Sequence, residues 1–287
     1  MFLIISMKHI FFFLVLFFAI SCSNDEPSVM IPNDTDDSDP VGSGNNDVLV
    51  WSDEFDYEGS IDEDTWTIEY GNGEWGWGNS ESQFYTSSNL EVSNGTLKIH
   101  AKKEYTYGYF YSSGRIHTGD SYSFQYGKME VRAKLPSNKG TWPAIWLLGE
   151  SFLSGTPWPD CGEIDLMEQT GANKNKILVT VHWKSSDNNA SYPNRANPES
   201  TNIGIGEILI STADSEFHIY TMDWTKNSIK MYLDGDLFFT FPIRSSHPFD
   251  NTFYIILNTA VGGTLGGNID SNFPDDVMEI DYVRVYQ

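Results

Sequence analysis

The chain has few cysteines and little positive charge. Cys22 and Cys161 are its only two cysteines in 287 residues, and Lys and Arg together number 17 against 40 Asp and Glu. The resulting formal net charge of −23 argues against nucleic acid and against polyanionic partners such as sulfated glycans. A neutral ligand would be indifferent to that field. Internal repeats are absent, and no segment sustains an apolar period of 3.6 residues. The apolar run from Ile10 to Ile20 is too short to span a bilayer. Rings, by contrast, are abundant: nine Trp, fifteen Tyr and eighteen Phe bring aromatics to 15%. Such a content suits a β-rich core or a surface that stacks on flat ligands.

That apolar run belongs to "MKHIFFFLVLFFAISC", which has the layout of a secretory signal peptide. "AISC" resembles a bacterial lipobox, which makes residues 1–21 a lipoprotein signal peptide and Cys22 the lipidated first residue of the mature chain. The alternative is a peptide cut elsewhere, with Cys22 incidental. Residues 22–47, rich in Asp, Ser, Pro and Gly, read as a disordered acidic tether. The protein is then expected in a bacterial cell envelope, on the outer membrane and held only by its lipid. The acidic "SNDE" after Cys22 hints at surface export, the alternative being an anchor facing the periplasm. With Cys22 lipidated, no intrachain disulfide can form, and Cys161 reads as a small buried residue rather than a nucleophile.

From residue 48 to 287 the texture is uniform. "KMEVRAKL" alternates, with Met129, Val131, Ala133 and Leu135 on one face and charges on the other, as in a half-buried antiparallel strand. "SIKMYLDGDLFFTF" reads as a hairpin turning at Asp234-Gly235. Many short strands over this length, with no βαβ alternation, predict one all-β antiparallel sandwich.

"CGEIDLMEQ" places Glu163, Asp165 and Glu168 within six residues of an apolar strand. Strict alternation puts Glu163 and Asp165 on one face but turns Glu168 into the core. A β-bulge at Leu166-Met167 restores the phase and returns Glu168 to its fellow acids. Three carboxylates on one face repel, so structure alone gives no reason to gather them. Hard-metal sites draw oxygens from folded-back loops, whereas glycoside cleavage needs two carboxyls flanking the scissile bond, about 5–5.5 Å apart in a retaining enzyme. An acid between them would raise its neighbours' pKa values. The competing reading is an exposed acidic edge strand, which Ile164, Leu166 and Met167 disfavour.

"GEIDLMEQ" resembles the Glu-x-Asp-x-x-Glu signature of family 16 glycoside hydrolases, in its bulged, laminarinase-like form. "WSDEF", "GWGNSESQFYT", "SGRIHT", "YGKMEVRAKLP", "TWPAIWLLG", "FHIYTMDWT" and "EIDYVRVYQ" extend the resemblance in order across 48–287. It implies a concanavalin-like jelly roll of two curved antiparallel sheets with a sugar cleft on the concave face. It also implies a retaining mechanism, with Glu163 the nucleophile, Asp165 its assisting acid and Glu168 the acid/base. Asn72, Arg115, Trp142, Trp146 and His182 resemble the family's cleft residues, and Trp75 or Trp77 could stack on a sugar. A structural ion pair for Arg115, core packing for the two β-strand tryptophans and a structural role for His182 are the alternatives. Glu54, the Gly95 carbonyl and Asp281 match a structural calcium site on the convex side; catalysis itself requires no cofactor. The implied activity is that of a monomeric endo-β-glucanase cutting 1,3-β-glucan or mixed-linkage 1,3/1,4-β-glucan. Its rivals are an agarase-like galactan hydrolase, a non-catalytic β-glucan-binding protein and a transglycosylase with the same residues. The polar stretch after His182, "KSSDNNASYPNRANPEST", is of a length that is usually either functional, walling one end of the cleft, or mobile.

Overall fold

The computed structural model describes residues 48–184 and 201–287. The signal peptide, Cys22, the acidic tether and nearly all of the polar stretch after His182 lie outside the described residues. Two antiparallel sheets face each other. The outer sheet runs in the order β15 (Asp236–Pro242), β14 (Ser228–Leu233), β13 (His218–Trp224), β8 (Gly127–Lys134), β17 (Asp276–Tyr286), β5 (Thr96–Ala101) and β4 (Leu90–Ser93), and β1 (Leu49–Asp53) also pairs with β17. The cleft sheet runs β12 (Thr201–Leu209), β11 (Lys176–Lys184), β10 (Glu163–Gln169), β9 (Thr141–Gly149), β16 (Phe253–Val261), β7 (Arg115–His117) and β2 (Thr67–Ile68). A short parallel pair, β3 (Gln83–Tyr85) with β6 (Tyr111–Ser113), stands apart from both.

Alternation decides what each sheet buries. On β8, Met129, Val131 and Ala133 are fully buried while the intervening charges are not. They meet Ile145, Leu147, Ile164, Val179, Val181 and Leu257 of the cleft sheet in one continuous core. Each such side chain contributes roughly 1.5–3 kcal/mol when fully buried. β16 is buried along its whole length, because its odd residues enter the core while its even ones are covered from the cleft side. The β14–β15 hairpin turns at Asp234 (φ 51°) and Gly235 (φ 90°), two positive φ values of the kind that suit the twist of the flanking strands.

Candidate active site

β10 carries the bulge that the sequence pattern predicts. Against β9, Asp165 pairs with Trp146 and Met167 with Ile145, so the register slips at Leu166. Against β11, it slips between Asp165, which pairs with Thr180, and Glu168, which pairs with Leu178. Leu166 and Met167 both enter the core. Glu168 therefore rejoins Glu163 and Asp165 on the cleft face.

The neighbouring strands supply partners by register. Trp142 Nε1 donates to Glu168 Oε1 at 3.0 Å, and Trp158 Nε1 donates to Glu163 Oε2 at 3.1 Å. Thr180 Oγ1 donates to Asp165 Oδ2 and lies 3.4 Å from Glu168 Oε2. His182 Nε2 sits 3.5 Å from Glu163 Oε1 and 3.4 Å from Asp165 Oδ2. Its Nδ1 is buried without a partner among the described residues, so Nε2 is the nitrogen that serves the acids.

The remaining expected cleft residues fall into one neighbourhood with different duties. Trp146 donates from Nε1 to Asn258 Oδ1 at 2.8 Å. The Arg115 guanidinium lies over Trp77 at 4.3 Å and over Trp146 at 5.0 Å, and its Nε donates to Glu69. Arg115 is thus both ion-paired and in the cleft. Asn72 spends its amide hydrogens on Glu81 O (3.0 Å) and Gln83 O (2.7 Å); it clamps the loop, and only its carbonyl oxygen is left for a sugar hydroxyl. Trp142 is nearly buried and offers its edge to Glu168 rather than an open platform. Trp75 is 82% exposed. Trp75, Trp77 and Ser80 all hold positive φ, a strain that surrounding bonds must offset and that clusters at working sites. Gly76 makes the turn possible, since a Cβ there would meet Glu81 N at 2.4 Å.

A model of the glycosyl hydrolases family 16 matches residues 77–284. The chain belongs to family 16. A beta-glucanase of Rhodothermus marinus is 41% identical over 83% of this chain and 85% of its own. The LamAcat crystal structure from Zobellia galactanivorans superposes with a TM-score of 0.74 at 42% identity, covering 84% of this chain and 98% of that one. The laminarinase of Rhodothermus marinus gives 0.74 at 40%, covering 84% and 97%. The two facing sheets are thus the jelly roll of family 16.

Electrostatics couples the acids of this family 16 site. Burial, then the charge of Asp165, pushes the carboxyls of Glu163 and Glu168 well above the usual range. Burial opposes charge on His182, but Glu163, Asp165 and Glu168 outweigh it and hold its pKa up at about 9. That imidazolium touches Glu163 and Asp165, whereas Glu168 has no ion-pair contact with it. His182 thus lies against Glu163 rather than Glu168, while both glutamates are pushed up alike, to about 8.

Several contributors escape a reading of the sequence. Trp158 reaches Glu163 from the loop before β10; its place in the Pro-flanked "TPWPDCGE" was the available signal. Thr180 lies two residues from His182 and so shares its face. Asn258 is the one amide in the apolar strand "FYIILNTAV". Glu81, nearly buried, accepts from Gln83 Nε2 at 2.6 Å and from Tyr85 Oη at 3.0 Å, and Tyr85 Oη accepts from Asn258 Nδ2 at 3.2 Å. Trp146 is thereby tied to Glu81 through two side chains. Cys161 is buried against Leu148, Tyr254 and Ile256, and burial, then Glu163, pushes its thiol up to about 12, so it is no nucleophile.

The residues expected to hold calcium have other partners among the described residues. Glu54 gives both oxygens to Arg284, at 2.9 and 2.7 Å, and Asp281 accepts from Arg132 at 2.5 Å. Gly95 (φ 72°) serves the β4–β5 turn instead. A cation there would first have to displace two guanidinium groups. Among the described residues, the one cluster of three ligand-type groups within 4.8 Å is Glu163, Asp165 and His182, whose atoms the acid chemistry already uses.

Proposed function

We propose that the chain is a retaining endo-β-glucanase that hydrolyses internal linkages of 1,3-β-glucan or mixed-linkage 1,3/1,4-β-glucan. The observation that carries this reading is the bulge: it gathers three acids, Asp165 buried and the two glutamates half-buried, on one face beside the His182 imidazolium. Glu163, held as the anion by His182 and Trp158, attacks the anomeric carbon. Glu168 gives its proton to the departing glycosidic oxygen, the C–O bond breaks, and a glycosyl ester on Glu163 forms. Glu168, now a base under the Trp142 N–H, takes a proton from water, whose oxygen displaces Glu163 and regenerates both groups. Asp165, pinned by Thr180, keeps His182 charged and the neighbouring carboxyls high. The Trp77–Arg115–Trp146 stack supports a floor of rings and polar edges for the sugar. No catalytic cofactor enters these steps.

Presence of all three acids, each with its own donor, favours an enzyme over a non-catalytic binding protein. The lipobox-like "AISC" at Cys22 supports a cell-envelope location for this activity, which protease shaving of intact cells would test. The activity itself is tested by reducing-sugar release and product sizing on laminarin, cereal mixed-linkage glucan and agarose. Cleavage of either glucan into oligosaccharides upholds the reading, and release from agarose alone overturns it.

A further inference from the structure

Between β5 and β6 the chain projects a hairpin that the catalytic reading does not use. Its arms bridge at Lys102–Ser112 and at Thr106–Tyr109, and it turns through Tyr107 (φ 47°) and Gly108 (φ 92°). The segment reads "YTYGYFY". Tyr105 is 72% exposed, Tyr107 77% and Phe110 68%, three large rings within six residues. They are not disordered outliers: Phe84 stacks on Tyr107 at 4.7 Å and lies 5.5 Å from Tyr109, while Tyr105 and Phe110 pair at 5.5 Å. The base is fixed, because Tyr111 packs edge-on against Phe273 and Ser112 donates to Glu104.

Rings left in water in this density do nothing for the core, and contiguous exposed apolar surface usually marks a binding site. Three features specify the occupant. Tyrosine dominates, giving a flat apolar face with a hydroxyl at its rim, which matches a pyranose with its C–H face and its ring of hydroxyls. The chain's charge of −23 disfavours acidic partners and anionic surfaces but is indifferent to a neutral polymer. Phe84 also sits on β3 between Gln83 and Tyr85, whose buried side chains belong to the Glu81 network that braces Trp146 and the Asn72 loop. Phe84, on which Tyr107 stacks, thus points to the opposite face of the strand from the side chains of that network.

We infer that the 105–111 hairpin, with Phe84, is a second surface for neutral β-glucan, separate from the catalytic cleft. This rests on the β-glucanase reading for its choice of polymer. A long or particulate glucan engages both surfaces of one molecule, and the second contact is gained at high effective concentration; a short oligosaccharide fills the cleft alone.

The test compares the full chain with a Tyr105→Ala/Tyr107→Ala/Phe110→Ala variant, and with Tyr107→Ser alone, in a Glu163→Gln background for binding and in the active form for turnover. Co-sedimentation with insoluble 1,3-β-glucan particles is expected to weaken by at least about tenfold in the triple variant and less in the single one. Hydrolysis of a soluble laminari-oligosaccharide and the melting temperature should not change. Undiminished sedimentation of the triple variant overturns the inference. So does a dimer of the parent chain that the triple variant dissolves, which would make the rings a self-association surface. Failure of the parent to cleave any β-glucan refutes the proposed activity instead, and the sedimentation result still decides whether the hairpin binds the polymer.

Discussion

The two sheets present the same kind of face to the core and opposite kinds of face to the outside. On the outer sheet each of these acids has a basic partner: Glu130 has Lys128 two residues away on the same strand, Glu279 and Asp281 on β17 have Lys134 and Arg132 on β8, and Glu54 beside the sheet has Arg284. These pairs are partly exposed, and their charges are screened by water. On the cleft sheet, one imidazolium contacts Glu163 and Asp165 but not Glu168, and the Arg115 guanidinium is engaged by Glu69. Charge placed for solubility is matched and left wet; charge placed for chemistry is crowded, desolvated and undersupplied. Burial first, and then the charge of Asp165, is what lifts the Glu163 and Glu168 pKa values.

Substitutions that break this contrast should rank accordingly. Glu163→Gln is expected to lower kcat on laminarin by at least about 1,000-fold with an unchanged melting temperature, since it removes a group acting as a unit with its neighbours. Residual hydrolysis near the parent level would refute the nucleophile. Glu168→Gln should cost about 10²- to 10⁴-fold on polysaccharide but far less on an aryl glycoside whose leaving group needs no proton. Equal losses on both substrates would assign the acid elsewhere. His182→Asn removes the cation that lowers the Glu163 pKa, so the acidic limb of the pH–rate profile should move to higher pH. A limb that stays put would show that His182 is neutral in the working enzyme. Glu81→Ala strands Tyr85 Oη and Gln83 Nε2 in the interior, at about 1–3 kcal/mol of stability, with a larger effect on KM than on kcat through Trp146. On the outer sheet, Glu279→Gln should change stability by less than about 1 kcal/mol and leave turnover unaltered.

Much of this contrast is legible in the sequence, and its limits have a physical cause. Period-two alternation exposes the sandwich, the hairpin at Asp234-Gly235 and the misplaced Glu168, because each depends only on neighbours along one strand. Partners across strands leave no such trace. Arg132 meets Asp281 across 149 residues and Arg284 meets Glu54 across 230, so pattern alone allows those acids to look available to a cation. Tyr85 and Asn258, which link Glu81 to Trp146, stand 173 residues apart. Asn72 was legible as a cleft residue but not as a clamp, since only the folded loop shows its amide satisfied by two carbonyls. The paired duty of Arg115 was likewise invisible until Glu69 and the two indoles closed around it.

The slip at Leu166 and Met167 has a consequence for what insertions and deletions the gene can tolerate. Elsewhere in a half-buried strand, losing one residue exchanges the inward and outward sets from that point on. Here, loss of Met167 would erase the bulge and leave Glu163, Asp165 and the final glutamate in plain alternation. Two strand lengths therefore encode one outward-facing surface. At this bulge, a three-nucleotide deletion is expected to leave the reading of the faces intact.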